Sequence, residues 1–241
     1  MERPFNPAYI LESLPRLLAY LPVTLGVALA TILAGTMLGL VLAKAKLGRS
    51  RVARWLANFY TWALRCTPSI VLLFLVYYGL PAFAKAVFSV DISLWHRAFF
   101  VILTFTLFFG ATMSELMRSA YLSVDRGQRE AALSHGLSEF QAFRRIVLPQ
   151  AAVSALPNVA TAVVALLKEG SLAYTVGLID LMGQGTLIIA RRYGAWALET
   201  YLAAALIYWI LTVAIEKAAG RLELRLSRGR RSVAGEQAHG A

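Results

Sequence analysis

The sequence predicts an all-α membrane protein with five transmembrane helices. Of its 241 residues, 59% are hydrophobic and only 15% are charged, whereas a soluble domain typically carries about 25% charged residues. A helix needs roughly 20 apolar residues to cross a bilayer, and residues 17–43 contain no charge at all. Several such runs in one chain exceed what a single soluble core of this size buries, so lipid is the expected surrounding.

Five apolar runs predict the spans. The first, residues 17–43, is too long for the core of a signal peptide, and we expect it to be retained. The others are residues 55–84, 97–121, 146–168 and 196–217. Residues 171–190 are also apolar, but Asp180 and three glycines interrupt them. We therefore expect short, partly buried helices there instead of a sixth span.

The distribution of basic residues predicts the orientation. The net charge is +11 at pH 7, and the successive loops and the tail carry 5, 2, 5, 3 and 6 Lys and Arg residues. Cytoplasmic loops carry the excess of such residues, so the amino terminus is expected outside and the carboxyl terminus inside. No compact basic domain lies outside the spans, which argues against a nucleic-acid partner. Residues 219–241 are expected to form a basic, disordered cytoplasmic tail that meets lipid.

The third loop contains a polar segment with helical periodicity, residues 126–145. Gly136 interrupts the pattern and is well suited to end a first short helix. Ser138 and Gln141 match a capping box that begins a second one. We expect two short helices at an angle along the inner face of the membrane. From the residues alone, they either tie spans together or dock a cytoplasmic partner.

A motif with fixed spacing runs through this segment. Glu130-Ala131-Ala132 is followed after three residues by Gly136, and after nine more by Ile146-x-Leu148-Pro149. This spacing resembles the EAA signature of the permease subunits of ABC importers. The resemblance implies a type I ABC importer transmembrane domain over residues 1–218, with residues 126–145 as its coupling element. It also implies that the ATPase-coupling residues are Glu130, Ala131, Ala132, Gly136 and Ser138.

Other residue groups extend the resemblance over about residues 20–218. They are Arg65-x-Thr67-Pro68, Tyr77-Tyr78-Gly79-Leu80-Pro81, Ser114-Glu115 with Arg118, Gly127-Gln128, and Leu167-Lys168-Glu169-x-Ser171-Leu172. They resemble the branch of the family that imports polar amino acids, of the histidine, glutamine and arginine type. Cys66 and Gly170 depart from that branch, where Gly and Thr are usual. These departures concern the identity of the solute more than the class of protein.

The chain lacks the motifs of an enzyme or of an ATPase. It has no G-x-x-x-x-G-K-[ST] loop for ATP, and its three histidines and single cysteine are scattered, so we expect no catalytic activity, cofactor or metal. The resemblance implies an ABC ATPase subunit dimer, an extracytoplasmic amino-acid-binding protein and a bacterial cytoplasmic membrane. Since five spans are few for an enclosed pathway, a second permease chain, identical or a sister, is also expected.

Charged residues in the second and third spans are candidates for the solute pathway. Glu115 is ionisable and lies within a span, and its alternative role is a structural salt bridge with Arg118. Arg65 precedes Thr67-Pro68, where the proline breaks the helix and frees backbone groups for a polar solute. Arg65 either attracts a carboxylate or anchors the helix end.

Three further candidates lie later in the chain. Lys168 and Glu169 either line the outward gate or cap the fourth span, and Asp180 either lines the pathway or belongs to a re-entrant helix. Acidic groups such as Glu115 and Asp180 would suit a cationic amino acid if they face the pathway.

The residues alone leave two other classes of protein as alternatives. A stand-alone channel or ion-coupled secondary transporter would use Arg65, Glu115 and Asp180 as an intramembrane relay, but it leaves the EAA spacing unexplained. A membrane-embedded enzyme has the least support, because the sequence shows no nucleophile–base pair, paired carboxylates or metal ligands.

Overall fold

The computed structural model describes residues 5–238, and side chains for residues 5–227. Every regular element in that range is helical. The helices are α1 (Pro7–Leu18), α2 (Leu21–Leu47), α3 (Arg51–Cys66), α4 (Ser69–Phe74), α5 (Leu80–Phe88), α6 (Arg97–Leu122), α7 (Arg126–Ser134), α8 (Glu139–Ala142), α9 (Leu148–Gly170), α10 (Leu181–Arg191) and α11 (Ala197–Ala238). Short π-helical turns at Leu75–Gly79 and Phe143–Val147 lead into α5 and α9, and a 3-10 turn at Ser171–Val176 follows α9.

The prediction of five spans is confirmed within the described residues. The segments that are long and apolar enough to cross a membrane are Leu21–Leu47, Ser69–Phe88, Arg97–Leu122, Glu139–Val176 and Ala197–Ser227. The short helices predicted around residues 171–190 are present as the 3-10 turn after α9 and as α10. Because α8, the π-helical turn and α9 follow one another without a break, the cytoplasmic helix α8 is continuous with the fourth span.

Helix α6 lies at the centre of the bundle. It packs along α2 and also contacts α3, α4 and α9. Phe105 and Phe109 of α6 are almost fully buried, in one cluster with Leu73 of α4 and Leu166 of α9. The central helix therefore fixes the relative positions of the spans around it.

Glycines allow α2 and α6 to approach closely. A Cβ atom added to Gly39 would lie 2.7 Å from the Met113 Cβ atom, and one added to Gly110 would lie 2.8 Å from the Leu38 Cδ2 atom. In lipid, helices associate through van der Waals packing and interhelical hydrogen bonds, and small residues let their backbones come together. The pairing of α2 with α6 thus depends on the absence of side chains at these positions.

The amino-terminal helix α1 was not predicted from the sequence. The first span was expected to begin at residue 17, but the structure ends α1 at Leu18 and begins α2 at Leu21. Pro22 explains the new start, because a proline in the first turn of a helix needs no hydrogen-bonded N–H. Helix α1 instead packs on α11, where the Tyr9 and Trp196 rings stack at 5.4 Å.

The break predicted at Pro68 is confirmed, but the second span is Ser69–Phe88 and does not begin near residue 55. Helix α3 ends at Cys66, and Thr67 is extended, with φ −92° and ψ 129°, before the next helix begins at Ser69. Pro68 lacks an N–H and disfavours helical geometry in the residue before it. This stretch is therefore a broken helix whose interruption directly precedes the second span.

The disorder predicted for residues 219–241 is also not observed where the structure describes them. Helix α11 continues without interruption past residue 218 to Ala238, while residues 239–241 lie outside the described range. Leu222, Glu223 and Arg225 are all good helix formers, so the helix of the last span extends through them.

Candidate functional site

The coupling element has the two-helix geometry expected from its sequence. Helix α7 ends in a left-handed turn at Gly136, whose φ is +83°. The Gly136 N–H donates to the Leu133 carbonyl at 2.9 Å, and the Leu137 N–H donates to the Ala132 carbonyl at 3.2 Å. This pair of hydrogen bonds is the Schellman motif, in which glycine avoids the strain of a Cβ atom.

Helix α8 begins with the predicted capping box. The Ser138 hydroxyl accepts from the Gln141 N–H at 3.3 Å, and the Gln141 side chain accepts from the Ser138 N–H at 2.9 Å. A bidentate ion pair joins the two short helices, because the Arg129 guanidinium donates to both carboxylate oxygens of Glu139. The angle between α7 and α8 is therefore held at the turn and by this side-chain bridge.

Not all of the residues predicted to contact an ATPase are exposed on the surface of residues 126–145. Glu130, Ala131 and Gly136 are exposed, but Ala132 is only 8% exposed and packs inward. Phe140 is 68% exposed on the same two-helix surface.

A buried charge cluster lies between α2, α3 and α6. The ammonium group of Lys46, whose side chain is 1% exposed, donates to Glu115 Oε1 at 2.6 Å. It also donates to the hydroxyls of Thr61 at 2.7 Å and Ser114 at 2.8 Å. All three protons of the ammonium group therefore have acceptors, and one lysine connects three helices.

The other oxygen of Glu115 is bound by Arg118. The Arg118 Nε and Nη2 atoms lie 3.0 and 2.9 Å from Glu115 Oε2. This confirms the pairing expected from the i,i+3 spacing, but Lys46 was not among the residues predicted from the sequence. The helical register offered a signal, because Lys46 lies seven residues after Gly39, on the stripe of α2 that faces α6.

A depression of about 490 Å³ lies next to this cluster, between α3 and α6. The residues that line it are Asn58, Thr61, Trp62, Arg65, Cys66 and Glu115. Arg65 is exposed and has no ion pair among the described residues, although it lines the same depression as Glu115. Thr67 closes the end of α3, where its hydroxyl donates to the Ala63 carbonyl at 2.8 Å.

Lys168 and Glu169 occupy the last turn of α9, and the Ser69 side chain at the start of α4 is hydrogen-bonded to the Glu169 carboxylate. Lys168 is exposed and lines a separate depression of about 300 Å³ together with Met182 and Tyr208. Glu169 is partly buried, and its Oε2 atom has no hydrogen-bond partner among the described residues. The two side chains are not paired with each other in the structure.

Asp180 is buried and caps α10. It is 2% exposed, and its Oδ1 atom accepts from the Gly183 N–H at 2.8 Å. The Thr24 hydroxyl of α2 lies 3.5 Å from its Oδ2 atom and accepts from the Leu181 N–H at 3.1 Å. Burial raises the pKa of Asp180 to about 6. The adjoining cavity of about 10 Å³ has room for roughly one water molecule, so Asp180 ties α10 to α2 in this arrangement.

The helical bundle has counterparts among known proteins. Residues 35–228 match the family described as "Binding-protein-dependent transport system inner membrane component". The chain belongs to this family. Its membrane setting therefore follows from the family as well as from the five apolar segments.

Curated relatives of this inner membrane component are similar over most of their length. The "L-cystine transport system permease protein TcyL" of Bacillus subtilis (strain 168) is 41% identical over 90% of this chain and 89% of its own. The "Nopaline transport system permease protein NocM" of Agrobacterium fabrum is 36% identical over 86% of each chain. The "Probable amino-acid ABC transporter permease protein PatM" of Vibrio harveyi is 35% identical over 93% of this chain and 97% of its own.

Solved structures share the fold. A chain of the "Crystal structure of an amino acid ABC transporter with histidines" superposes with a TM-score of 0.79 at 26% identity, over 92% of this chain and all of that one. A chain of the MetNI methionine ABC transporter, in an inward-facing conformation, superposes with a TM-score of 0.63 at 19% identity, over 91% and 96% of the two chains. The inner membrane component therefore has the type I ABC importer transmembrane-domain fold.

Proposed function

We propose that this inner membrane component is the permease subunit of an ABC importer that carries polar amino acids across a bacterial cytoplasmic membrane. The family match and the relatives named for cystine, nopaline and amino acids support this function. The observation that carries the proposal is the coupling element, which presents Glu130, Ala131 and Gly136 on an exposed two-helix surface.

An ATPase subunit dimer docks on residues 126–145 and drives the transport cycle. Glu130 pairs with a basic group of the ATPase, and the small Ala131 lets the helix sit close to its partner. Exposed Phe140 adds an apolar anchor, since aromatic side chains are enriched at protein interfaces. Ser138 acts by starting α8 at the correct angle, through its capping box with Gln141.

Movement of the docked element is transmitted to the fourth span. Helix α8 is continuous through the π-helical turn with α9, so a displacement of α8 moves α9 with it. Val147 and Ala151 at the start of this run are buried against Ala120 and Val124, near the end of α6. Closure of the ATPases therefore acts on the third and fourth spans together.

The solute crosses between two permease chains, and an external binding protein delivers it. The depression with Arg65 opens to the outside of the single chain, on the surface of α3. The polar groups there become an enclosed pathway only when a second permease, identical or a sister, covers them. Arg65, Thr67 and Glu115 are the proposed pathway residues, with Lys168 and Glu169 near its outer end.

Asp180 has a different role in this proposal. Its carboxylate is occupied by the Gly183 N–H and the Thr24 hydroxyl, and it is almost fully buried. We assign it to positioning α10 beside the pathway, without contact to the solute.

The experiment is co-purification with the ATPase subunit combined with ATP-dependent uptake in proteoliposomes. We expect Glu130→Lys and Gly136→Leu to abolish uptake and to weaken ATPase retention. Asp91→Lys is the control, because it makes the same reversal of charge at an exposed residue in the loop before α6, outside residues 126–145. If both test variants bind the ATPase and transport normally, residues 126–145 are not the coupling element.

The stand-alone secondary transporter is the alternative, and the comparisons favour the importer permease over it. The ion pairs of Glu115 also disfavour a proton or ion relay, because both carboxylate oxygens are occupied by cations. Uptake by the purified chain alone, driven by an ion gradient without ATP, would support the alternative instead.

A further inference from the structure

The depression between α3 and α6 has an excess of positive charge. Glu115 is the carboxylate in its lining, but Lys46 and Arg118 each bind one of its oxygens. Arg65 adds a third cation that has no ion pair among the described residues. Three cations and one carboxylate leave a formal charge of +2 at this place.

Arg65 is well placed to bind an anion. It lies in the last turn of α3, two residues before the extended Thr67, next to the break in the helix. Asn58 lies seven residues earlier on the same face and lines the same depression, where its amide provides further hydrogen-bond donors. A guanidinium group binds a carboxylate through two parallel N–H···O bonds.

The depression has a volume of about 490 Å³ and is open on the surface of the single chain. Small-molecule pockets bury most of their ligand, so a second permease chain would have to enclose a solute here. Trp62 supplies an apolar wall beside the polar groups. The site therefore combines one anion-binding group, one amide and one aromatic surface.

We propose that this depression binds the α-carboxylate of the transported amino acid through Arg65. The proposal rests on the function proposed above and deepens it by naming the group of the substrate that is bound and the residue that binds it. The sequence alone had favoured cationic solutes, on the grounds of Glu115 and Asp180. The structure removes that argument, because both carboxylates are already bound by groups of the protein.

The native Cys66 provides a probe of this charge. It is the single cysteine of the chain, it is exposed, and it lines the depression one residue from Arg65. In the assembled transporter in lipid nanodiscs, we would compare its modification by anionic sulfonatoethyl and cationic trimethylammonioethyl methanethiosulfonate. Mass spectrometry of the Cys66 peptide separates it from cysteines of the partner subunits, and rates with mercaptoethanol normalise the two reagents.

The expected result is a preference for the anionic reagent that depends on Arg65. One unit charge within about 7 Å changes the local concentration of a charged reagent by roughly tenfold at intermediate dielectric. We therefore expect Arg65→Gln to lower the ratio of anionic to cationic rates about tenfold or more, and Arg65→Lys to keep it. Arg51→Gln is the matched control, because it removes an exposed arginine from the other end of α3.

Protection by small solutes tests the ligand class. L-glutamate and L-glutamine should slow the modification of Cys66 in the unaltered protein but not in Arg65→Gln. Argininamide, which has no carboxylate, should not protect in either. Equal modification ratios in the unaltered protein and Arg65→Gln, absence of any reaction at Cys66, or protection by argininamide would each overturn the proposal.

These outcomes are distinct from failure of the proposed function. One outcome is uptake that requires ATP, Glu130 and Gly136 while the ratio of anionic to cationic modification rates at Cys66 is unchanged by Arg65→Gln. In that case the protein is an importer, and its carboxylate site lies elsewhere. Loss of ATPase coupling would contradict the importer itself, whatever the behaviour of Cys66.

Discussion

Lys46 and Glu115 form an ion pair of 2.6 Å between α2 and α6, although 69 residues separate them in the chain. The lysine is buried between the helices, and the same ammonium group binds Thr61 of α3. A charge buried without a partner is costly in a protein interior. This pair therefore specifies the register of three helices as well as neutralising a buried charge.

Replacement of Lys46 should destabilise the bundle. Lys46→Met leaves Glu115 with Arg118 alone and leaves Ser114 and Thr61 without their donor. Because removal of one partner from a buried ion pair is strongly destabilising, and Glu115 keeps one cation, we expect a loss of about 2–3 kcal/mol. Thermal unfolding followed in detergent should show a Tm lower by roughly 5–10 °C.

Two further variants show whether the loss of Tm in Lys46→Met comes from the ion pair. Lys44→Met removes an exposed lysine from the same helix and should leave Tm almost unchanged. Glu115→Gln combined with Lys46→Met removes the unbalanced charge and should recover part of the loss. If the double variant is as unstable as the sum of the single ones, the two residues do not act as a pair.

The close approach of α2 and α6 makes two glycines of one helix respond oppositely to alanine. A Cβ atom at Gly39 would lie 2.7 Å from Met113 Cβ, whereas one at Gly26 meets nothing within 4 Å. Alanine is favoured over glycine in a helix by about 1 kcal/mol, so Gly26→Ala should be neutral or stabilising. Gly39→Ala should destabilise by about 1–3 kcal/mol, because it forces the helices apart. Equal Tm values for the two variants would contradict this packing.

The bridge between α7 and α8 should respond to reversal of its charges. Arg129→Glu places two carboxylates together at the turn and should reduce ATP-dependent uptake, because the angle of the coupling element is no longer held. Exchange of both charges, Arg129→Glu with Glu139→Arg, should restore much of it. Exposed ion pairs contribute less than about 1 kcal/mol to stability. The Tm of the single variant and of the double variant should therefore stay close to that of the unaltered protein. Failure of the exchange to recover uptake would assign Arg129 or Glu139 a direct contact with the ATPase.

Asp180 should give the protein a specific pH dependence. Burial raises the pKa of its carboxyl from 3.8 to about 6, so the folded chain takes up a proton between these values while the unfolded chain does not. Stability from this group therefore rises as the pH falls through that window, by about 1 kcal/mol between pH 7 and 5. The corresponding rise in Tm should be absent from Asp180→Asn.

Asp180→Ala separates the charge of this residue from its hydrogen bonds. An asparagine still accepts from the Gly183 N–H, but an alanine leaves the start of α10 without its cap, at a cost of about 1 kcal/mol. Tm at pH 7 should therefore be lower for the alanine variant than for the asparagine variant. The reverse order would mean that the cap is not formed in the membrane.

Local features of the sequence account for much of this structure. Apolar runs longer than a bilayer is thick predicted the number of spans, and Gly136 with Ser138 predicted the two helices of the coupling element. These predictions succeeded because each depends on the residues within one or two turns of the helix concerned. The EAA spacing predicted the class of protein, because seven positions of that signature match within 20 residues.

Predictions that depended on distant groups did less well. The break at Pro68 was predicted, but the second span was expected to begin near residue 55 and begins at Ser69, and the extension of α11 beyond residue 218 was missed. Lys46 was counted as a marker of orientation, whereas it lies buried beside Glu115. The numbers of Lys and Arg residues in the loops predict the orientation of the chain in the membrane. They do not predict which lysine side chain is buried between the helices.

Chain composition and apolar periodicity predicted a membrane protein with five spans, and the resemblance carried by the motif spacing predicted a permease with a coupling element. Only the packed bundle shows which charges are already neutralised, because Lys46 and Glu115 meet through the pairing of two spans far apart in the sequence. Arg65 lines the depression beside this pair and has no ion pair among the described residues. The sign of the charge offered to the solute is therefore a property of helix packing, which brings cations and carboxylates together independently of their order along the chain.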